Sequence, residues 1–297
     1  MLSRPWMARF AVIAALCASC WAAVAPGAQA AAPRLGAVPG GIRAAAAQPA
    51  PLIPDSGPAR RSKKGLGAPA MSASMARANA RKQALARRIM HVMTGAASPD
   101  GKCASASCRA GLPVARHLAA SQQAQILDYF CGPATVSEML AQVGKKLSQQ
   151  RVAGELGTTP DGTDWSNGSG YPVPNVLNKN QHRNVYVAVG LPWTPTPAQT
   201  RTYQNDLVTD INHNGGVPLG GNAYEVAGGP HLAGNPADST IFHWFDIRGY
   251  QNSGAVTNYE DSVHGASSIG WSGTVPAYSS MSSAVLVEIL GARGYIW

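Results

Sequence analysis

Apolar side chains follow a helical spacing immediately after Cys131, where large hydrophobic residues recur every three or four positions. They are Val136, Met139, Leu140 and Val143. This spacing puts them on one face of a helix, and Pro133 suits its first turn while Gly144 suits its C-terminal cap. The pattern therefore predicts an amphipathic helix that begins at Cys131 and buries one side against a core.

Further helices and strands are predicted in a definite order beyond this point. Helices are expected over residues 148–156 and 200–213, and the intervening "TTPDGTDWSNGSGYP" is typical of a long loop. Strands are predicted over residues 185–189, 217–223, 241–249, 256–259 and 284–290. Helices first and an antiparallel sheet afterwards indicate an α+β fold, in a domain that spans residues 113–297.

A separate basic amphipathic helix is predicted over residues 72–95, which are rich in good helix formers. Its expected apolar face consists of Leu85, Ile89, Val92 and Met93. Three interpretations stay open. The helix docks on the domain with its charges in water, or it is a pro-segment that covers the active site. Alternatively, residues 57–95 contact an anionic cell-surface polymer.

The start of the chain predicts a secretory signal peptide over residues 1–30. Arg4 and Arg9 precede an apolar run, and Ala28-Gln29-Ala30 has the small residues of a cleavage site. Residues 31–71 are rich in Ala, Pro and Gly, which predicts a disordered linker. No later run reaches the roughly 20 apolar residues that a membrane helix needs. We therefore expect a secreted, extracellular protein that does not span a membrane.

The formal net charge of +9 is concentrated near the N-terminus. Residues 1–30 contribute +2 and residues 31–95 contribute +10, whereas residues 96–297 contribute −3. Because the domain itself is mildly acidic, nucleic acid is not expected as its partner.

The five cysteines fall into three groups. Cys17 and Cys20 lie in the predicted signal peptide, and Cys103 and Cys108 are close enough to form one short-loop disulfide in an oxidising compartment. Cys131 is then left over, which indicates a reactive thiol or an intermolecular link. No second Cys/His pair has zinc-ligand spacing, so neither a metal nor a cofactor is expected.

Cys131 has the setting of a nucleophile. The dipole and the N–H groups at a helix N-terminus favour a thiolate there. Gly132 is expected to leave space for a substrate backbone beside the sulfur. Gln125, six residues earlier, is expected to bring its side-chain NH₂ close to the Cys131 backbone N–H. The two donors would then form an oxyanion hole.

A thiolate needs a base, and among the seven histidines only His243 opens an apolar strand. A strand fixes the ring well enough to pair it with a thiolate, although a lone strand histidine is more often a hydrogen-bonded core residue. Asp261 follows the next strand and is preferred as the group that orients His243. Asp246 lies on the opposite face of the histidine's own strand. Glu260 and His264 remain alternatives.

Taken together, these residues resemble the papain-like cysteine peptidases, especially the branch related to the double-glycine, bacteriocin-processing peptidases. The matching segments are "QILDYFCGPATVSEML", "ELGTTPDGTDWSNGSGYPVPNVLN", "INHNGGVPLGGN", "FHWFDIRGY" and "YEDSVHG". The resemblance spans residues 122–290 and implies a papain-like fold with helices packed on an antiparallel sheet. It also implies Cys131 as nucleophile, His243 as general acid and base, Asp261 as its orienting residue and Gln125 as oxyanion donor.

Two departures limit what the resemblance implies. The family often has Asp-Pro where this chain has Asp261-Ser262. No transporter domain of the kind that accompanies bacteriocin processors is found, so specificity for double-glycine leaders is not expected. The sequence thus predicts a secreted peptidase that cleaves peptide or amide bonds through a Cys-His-Asp triad and an acyl-enzyme. Alternatives are a cell-wall peptide amidase or an acyl transferase with the same triad, or a non-catalytic binding domain.

Overall fold

The computed structural model describes residues 70–93 and 111–297. The predicted signal peptide, nearly all of the predicted linker and the predicted Cys103–Cys108 disulfide lie outside these two ranges. The chain divides into two units, Met1–Ala47 and Gln48–Trp297, and both described ranges belong to the second. Within them, no helix combines the length and the apolar character that crossing a bilayer requires.

Six α-helices occur in the described ranges. They are α1 (Ala73–Met93), α2 (Cys131–Gln142), α3 (Gln149–Leu156), α4 (Pro172–Asn180), α5 (Pro197–Asn212) and α6 (Ser283–Ile289). Local sequence accounts for several of their starts. Ser148 caps α3 by accepting a hydrogen bond from the backbone N–H of Arg151. Thr196 and Gln199 form a reciprocal capping box at the start of α5.

The seven strands of the described ranges form one antiparallel sheet. They are β1 (Arg116–His117), β2 (Ala188–Gly190), β3 (Leu219–Glu225), β4 (Ile241–Gln251), β5 (Val256–Glu260), β6 (Tyr278–Ser282) and β7 (Gly294–Ile296). Their order is β2-β7-β3-β4-β5-β6, and β1 pairs separately with β4. The long strand β4 therefore lies between β3 and β5 and holds His243 inside the sheet.

Helices cover both faces of the sheet. Side chains alternate along β4, so Trp244 packs in a core cluster with α2, α3 and α4. Phe245 and Ile247 pack in a second cluster with α5 and α6. This arrangement of helices on an antiparallel sheet confirms the predicted α+β class.

α1 docks on the domain through a different face from the predicted one. Leu85 was expected at the contact but is 52% exposed, whereas Ala86 is only 5% exposed. Met75, Ala78 and Met90 pack against the same cluster as Ala86. The predicted apolar face is therefore wrong at Leu85, and α1 contacts α5 and β2 through a neighbouring strip of the helix.

Lys82 shows that the charges of α1 do not all remain in water. Its Nζ lies 2.8 Å from Oδ2 of Asp210 on α5 and 4.3 Å from the ring centre of Trp297. Gln83 adds a hydrogen bond to Asp206. Burial lowers the pKa of Lys82, although the neighbouring Asp210 carboxylate acts in the opposite direction. A buried ion pair thus fastens α1 to the domain.

Residues 284–290 form most of α6 and the residue that follows it, rather than the predicted strand. Their β-branched content favours a strand. However, Leu286, Val287 and Leu290 are buried, which is helical spacing. Packing against α5 therefore overrides the local propensity.

Candidate active site

Cys131 is the first residue of α2, is a free thiol and is fully buried. Phe130 precedes it as the N-cap residue and offers no side-chain hydrogen bond to the first turn. The N–H groups at this end of α2 therefore keep their partial positive charge available for another acceptor. This end of the helix is suited to stabilise negative charge on the sulfur or on an atom bonded to it.

His243 and Asp261 form a buried pair. His243 Nε2 lies 2.8 Å from Asp261 Oδ1, and the two residues are 0% and 1% exposed. The same oxygen also accepts a hydrogen bond of 2.9 Å from the backbone N–H of Val263. The carboxylate is therefore anchored to the chain just after β5, and it fixes the orientation of the imidazole.

Cys131 lies against the same imidazole. Burial lowers the pKa of His243, but the charge of Asp261 and its hydrogen bond, together with the contact to Cys131, raise the pKa well above its usual value. Asp261 occupies Nε2, and Nδ1 is buried without a conventional hydrogen bond. Nδ1 is thus the ring nitrogen available to the sulfur, and the contacts of His243 favour the protonated form of its imidazole.

The other acidic and basic candidates lie elsewhere. Asp246 contacts the Gln142 amide on α2 instead of His243. Glu260 accepts a hydrogen bond from the same Gln142 amide. His264 Nδ1 lies 2.8 Å from a backbone carbonyl oxygen. Among the candidates named from the sequence, only Asp261 is brought to His243.

Gln125 is buried, and its amide faces its own loop. Its Nε2 donates to the carbonyl oxygens of Leu127 at 2.8 Å and Asp128 at 3.0 Å. Its Oε1 accepts from Ser262 Oγ at 3.2 Å, and its backbone N–H donates to Ser262 O at 2.8 Å. Gln125 therefore links the loop before Cys131 to the turn after Asp261, with both side-chain N–H groups used inside that loop.

Gly132 does not leave the space for substrate that its position suggested. A Cβ atom built on Gly132 would lie 2.2 Å from Oγ1 of Thr163. The Thr163 carbonyl oxygen also accepts a 3.2 Å hydrogen bond from the Trp244 indole. Thr163 thus occupies this space, and the glycine is needed because the loop between α3 and α4 approaches α2 closely.

Three buried carboxyls form a cluster that the sequence did not predict. Glu138 on α2, Asp246 on β4 and Glu260 on β5 bring oxygen atoms within 4.8 Å of one another, a spacing that could hold a cation. The Gln142 amide nitrogen lies among them and donates to both Asp246 and Glu260. Burial, with repulsion from Glu260, raises the pKa of both Glu138 and Asp246 well above the usual value. Protonation of Glu138 and Asp246, together with the Gln142 N–H groups, therefore reduces the negative charge of the cluster. The pattern is not visible in sequence because a glutamate in an amphipathic helix usually faces solvent.

A cavity of about 840 Å³ lies beside the end of β3, and its walls include Trp193, Arg201 and Tyr224. Cys131 and His243 do not line this cavity, and both are 0% exposed. The sulfur is therefore closed to solvent in this structure.

A cysteine at a helix N-terminus that contacts a strand histidine is typical of a cysteine-type peptidase. The model of the Peptidase_C39 like family matches residues 117–281, which is more than half of the chain. The chain belongs to this family and is a cysteine-type peptidase.

Solved structures similar to the chain include two that each share 14% sequence identity with it. A C39-like peptidase from Bacillus anthracis covers 61% of this chain and 96% of its own length, with a TM-score of 0.37. Digestive procathepsin L 3 from the larval midgut of Tenebrio molitor covers 76% and 87%, with a TM-score of 0.36. The comparison with curated proteins returned no match. The family assignment depends on the family model.

Proposed function

We propose that this peptidase is secreted and hydrolyses peptide or amide bonds through Cys131, His243 and Asp261. One observation carries the proposal. Asp261 holds Nε2 of His243 at 2.8 Å, which leaves Nδ1 for the Cys131 sulfur. A carboxylate that orients an imidazole beside a helix-borne thiol is the arrangement that nucleophilic catalysis requires.

In the proposed reaction, the Cys131 thiolate attacks the scissile carbonyl carbon and forms a tetrahedral intermediate. The C–N bond then breaks, His243 gives its proton to the leaving amine, and a thioester remains on the sulfur. Water next gives a proton to His243 and its oxygen attacks the thioester; the C–S bond then breaks, which releases the acid and restores the thiolate–imidazolium pair. Asp261 keeps the ring in position and stabilises its charge throughout.

We propose that the backbone N–H of Cys131 and the amide of Gln125 stabilise the oxyanion. The uncapped N-terminus of α2 supports the first donor. For the second, one N–H of Gln125 exchanges its contact with Leu127 or Asp128 for the oxyanion. Gln125→Ala should lower kcat by roughly 10²-fold while KM changes little.

The nucleophile assignment is tested by cleavage of a fluorogenic peptide mixture and by alkylation with iodoacetamide. Cys131→Ala should abolish cleavage, by about 10³-fold or more, and should remove the fast-reacting thiol. The matched control is the double variant Cys103→Ser/Cys108→Ser, which should keep both properties. If Cys131→Ala cleaves as well as the wild type, the proposal is wrong.

We propose that secretion removes residues 1–30 and that α1 remains part of the mature protein. The buried contact of Lys82 with Asp210 supports an integral α1. The mass of the protein recovered from culture medium tests this directly. Loss of residues 72–95 from an active product would instead establish a removable pro-segment.

An anionic cell-surface polymer is proposed as a second partner of α1. Arg77, Arg81, Arg87 and Arg88 are exposed on this helix, which supports an electrostatic contact. Binding to an anionic polymer should weaken as salt is added, and it should also weaken when these arginines are replaced by glutamine. Equal binding by the quadruple variant would contradict this role.

A further inference from the structure

Glu225, the last residue of β3, is a fully buried carboxyl on the same face of the sheet as His243. In the register of β3 and β4, Ala223 lies opposite His243, and Glu225 lies opposite Ile241. Residues two apart on a strand share a face, so Glu225 is a diagonal neighbour of His243 within reach of long side chains. Asp261 follows β5, on the other side of β4. His243 is therefore flanked by two carboxyls, one from each neighbouring strand.

The immediate contacts of Glu225 come from the loop between β3 and β4. Asn235 Nδ2 donates to both carboxyl oxygens, at 2.9 and 3.0 Å. His231 Nε2 lies 3.9 Å from Oε2. The two ring nitrogens of His231 lie 2.9 Å from Gly229 O and 2.8 Å from Ser239 O. Carbonyl oxygens only accept, so each contact is a hydrogen bond only when the ring nitrogen concerned carries a proton.

The charge of Glu225 changes within the neutral pH range. Burial raises the pKa of Glu225 to about 7, while Asn235, His243 and His231 act against that rise and Asp261 adds to it. The charged groups that face Glu225 are thus His231 from the loop, His243 from β4 and Asp261 from the end of β5. The imidazoles of His231 and His243 thus both favour the ionised form of Glu225.

We propose that Glu225 is a positioning residue that acts on His243 through its charge. Ionised Glu225 stabilises the imidazolium form of His243 from the side opposite Asp261, and protonated Glu225 does not. The inference rests on the proposed function, in which Cys131 and His243 work as a thiolate–imidazolium pair. The pair persists to higher pH when Glu225 is ionised, because loss of the imidazolium proton then removes a second favourable interaction.

The test is the pH dependence of Cys131 alkylation by iodoacetate, which needs no substrate. The rate of this anionic reagent falls at alkaline pH when the imidazolium charge is lost. The measurement uses the full mature chain with Cys103→Ser/Cys108→Ser, so that Cys131 is its only thiol. We expect Glu225→Gln to move this alkaline limb to lower pH by about half a unit or more. The conservative Glu225→Asp should stay closer to the wild type.

Asp206→Asn is the matched control. Asp206 is also a buried carboxyl whose pKa is raised by burial, but it contacts Tyr295 and Gln83 on the α5 side. This variant should leave the alkaline limb in place. The proposal is overturned if the Glu225→Gln profile superimposes on the wild type, or if Asp206→Asn moves the limb equally.

Two further outcomes complete the test. If Glu225→Gln does not fold, Glu225→Met replaces it as an uncharged side chain of similar length, and the limb should again move to lower pH. An unmoved limb in that variant would overturn the proposal. If wild-type Cys131 reacts no faster than a free thiol at any pH, the thiolate–imidazolium pair itself is absent. That result contradicts the proposed function, and it differs from a fast wild type with an unmoved Glu225 variant.

Discussion

Two aspartates near β4 show how one residue's environment decides its chemistry. Asp261 accepts hydrogen bonds from His243 and from the Val263 backbone, so its charge is stabilised at a fixed place. Asp246 lies on the other face of the sheet among further carboxyls, and burial raises its pKa well above the usual value. The same side chain therefore holds an imidazole at one position and has a strongly raised pKa among other carboxyls at the other.

Asp261→Asn should lower kcat/KM by on the order of 10²-fold, because the imidazolium loses its charged partner. Asp246→Asn is the matched control and should stay within about twofold of the wild type, since an amide resembles the protonated acid. Steady-state kinetics on one fluorogenic peptide compares the two. Equal losses in both variants would show that Asp261 has only a packing role.

Glu138 should make the protein less stable as pH rises. Burial raises its folded-state pKa, so the unfolded chain releases this proton at lower pH than the folded chain does. The contribution of Glu138 to the free energy of unfolding is fully present below about pH 4, near the usual glutamate pKa. It is lost as pH rises towards and through the folded-state pKa. Glu138→Gln should therefore raise the thermal midpoint at alkaline pH and have little effect in acid.

Glu155 on α3 is the control for this measurement, because its pKa is shifted in the opposite direction. The hydrogen bond from Asn180, with contacts to Arg151 and Lys179, lowers its pKa. Its contribution is present above the unfolded pKa and is lost as pH falls through the folded value. Glu155→Gln should therefore cost stability only at neutral and alkaline pH. If the thermal midpoints of both variants change in the same direction at alkaline pH, the opposite pKa shifts of Glu138 and Glu155 are contradicted.

At the scale of single elements, the start of α2 depends on contact with a loop. The loop between α3 and α4 places Thr163 where any side chain on Gly132 would lie. Moving either segment displaces Cys131, because the cysteine is the residue next to the contact. The position of the proposed nucleophile is thus set by packing between α2 and a segment about thirty residues later.

Gly132→Ala should destabilise the protein by about 1–3 kcal/mol and reduce activity, because the added methyl group forces α2 and Thr163 apart. Gly154→Ala is the matched control, since nothing lies within 4 Å of a Cβ built at this α3 position. It should increase stability by about 0.5–1 kcal/mol, as expected for a glycine inside a helix. Urea denaturation measures both variants, and a neutral Gly132→Ala would contradict the close packing.

At the scale of the whole molecule, α1 is joined to the domain by a buried charge as well as by apolar contacts. Lys82 and Asp210 are 11% and 3% exposed, and Lys82 also lies over the ring of Trp297. Removing one partner leaves the other charge buried without compensation, which is costly. The attachment of α1 should therefore be sensitive to a single substitution.

Lys82→Ala should lower the free energy of unfolding by about 3 kcal/mol or more. Arg81→Ala removes an exposed neighbouring charge and should change it by less than about 0.5 kcal/mol. The double variant Lys82→Met/Asp210→Asn should recover most of the loss, because no uncompensated charge remains. Denaturant titration measures the free energy of unfolding of each variant. Equal losses for Lys82→Ala and Arg81→Ala would show that the ion pair does not stabilise the protein.

The sequence by itself determined the elements whose pattern is local. Helical spacing after Cys131 predicted α2, and the alternation around His243 predicted β4 because each side chain's face follows from backbone geometry. The same logic separated Asp261 from Asp246. Local reasoning failed at residues 284–290, where β-branched content favoured a strand but burial against α5 produced a helix.

Only the tertiary structure decided the features that join distant segments. The sequence could not show that Thr163 fills the space at Gly132, or that Lys82 rather than Leu85 faces the domain. Nor could it show that Glu225 flanks His243 across two strands. These contacts depend on strand register and helix packing, in which the free energy of burying charge and volume is shared between segments far apart in the chain. Local spacing therefore predicted which residues could be reactive, and packing determined their partners.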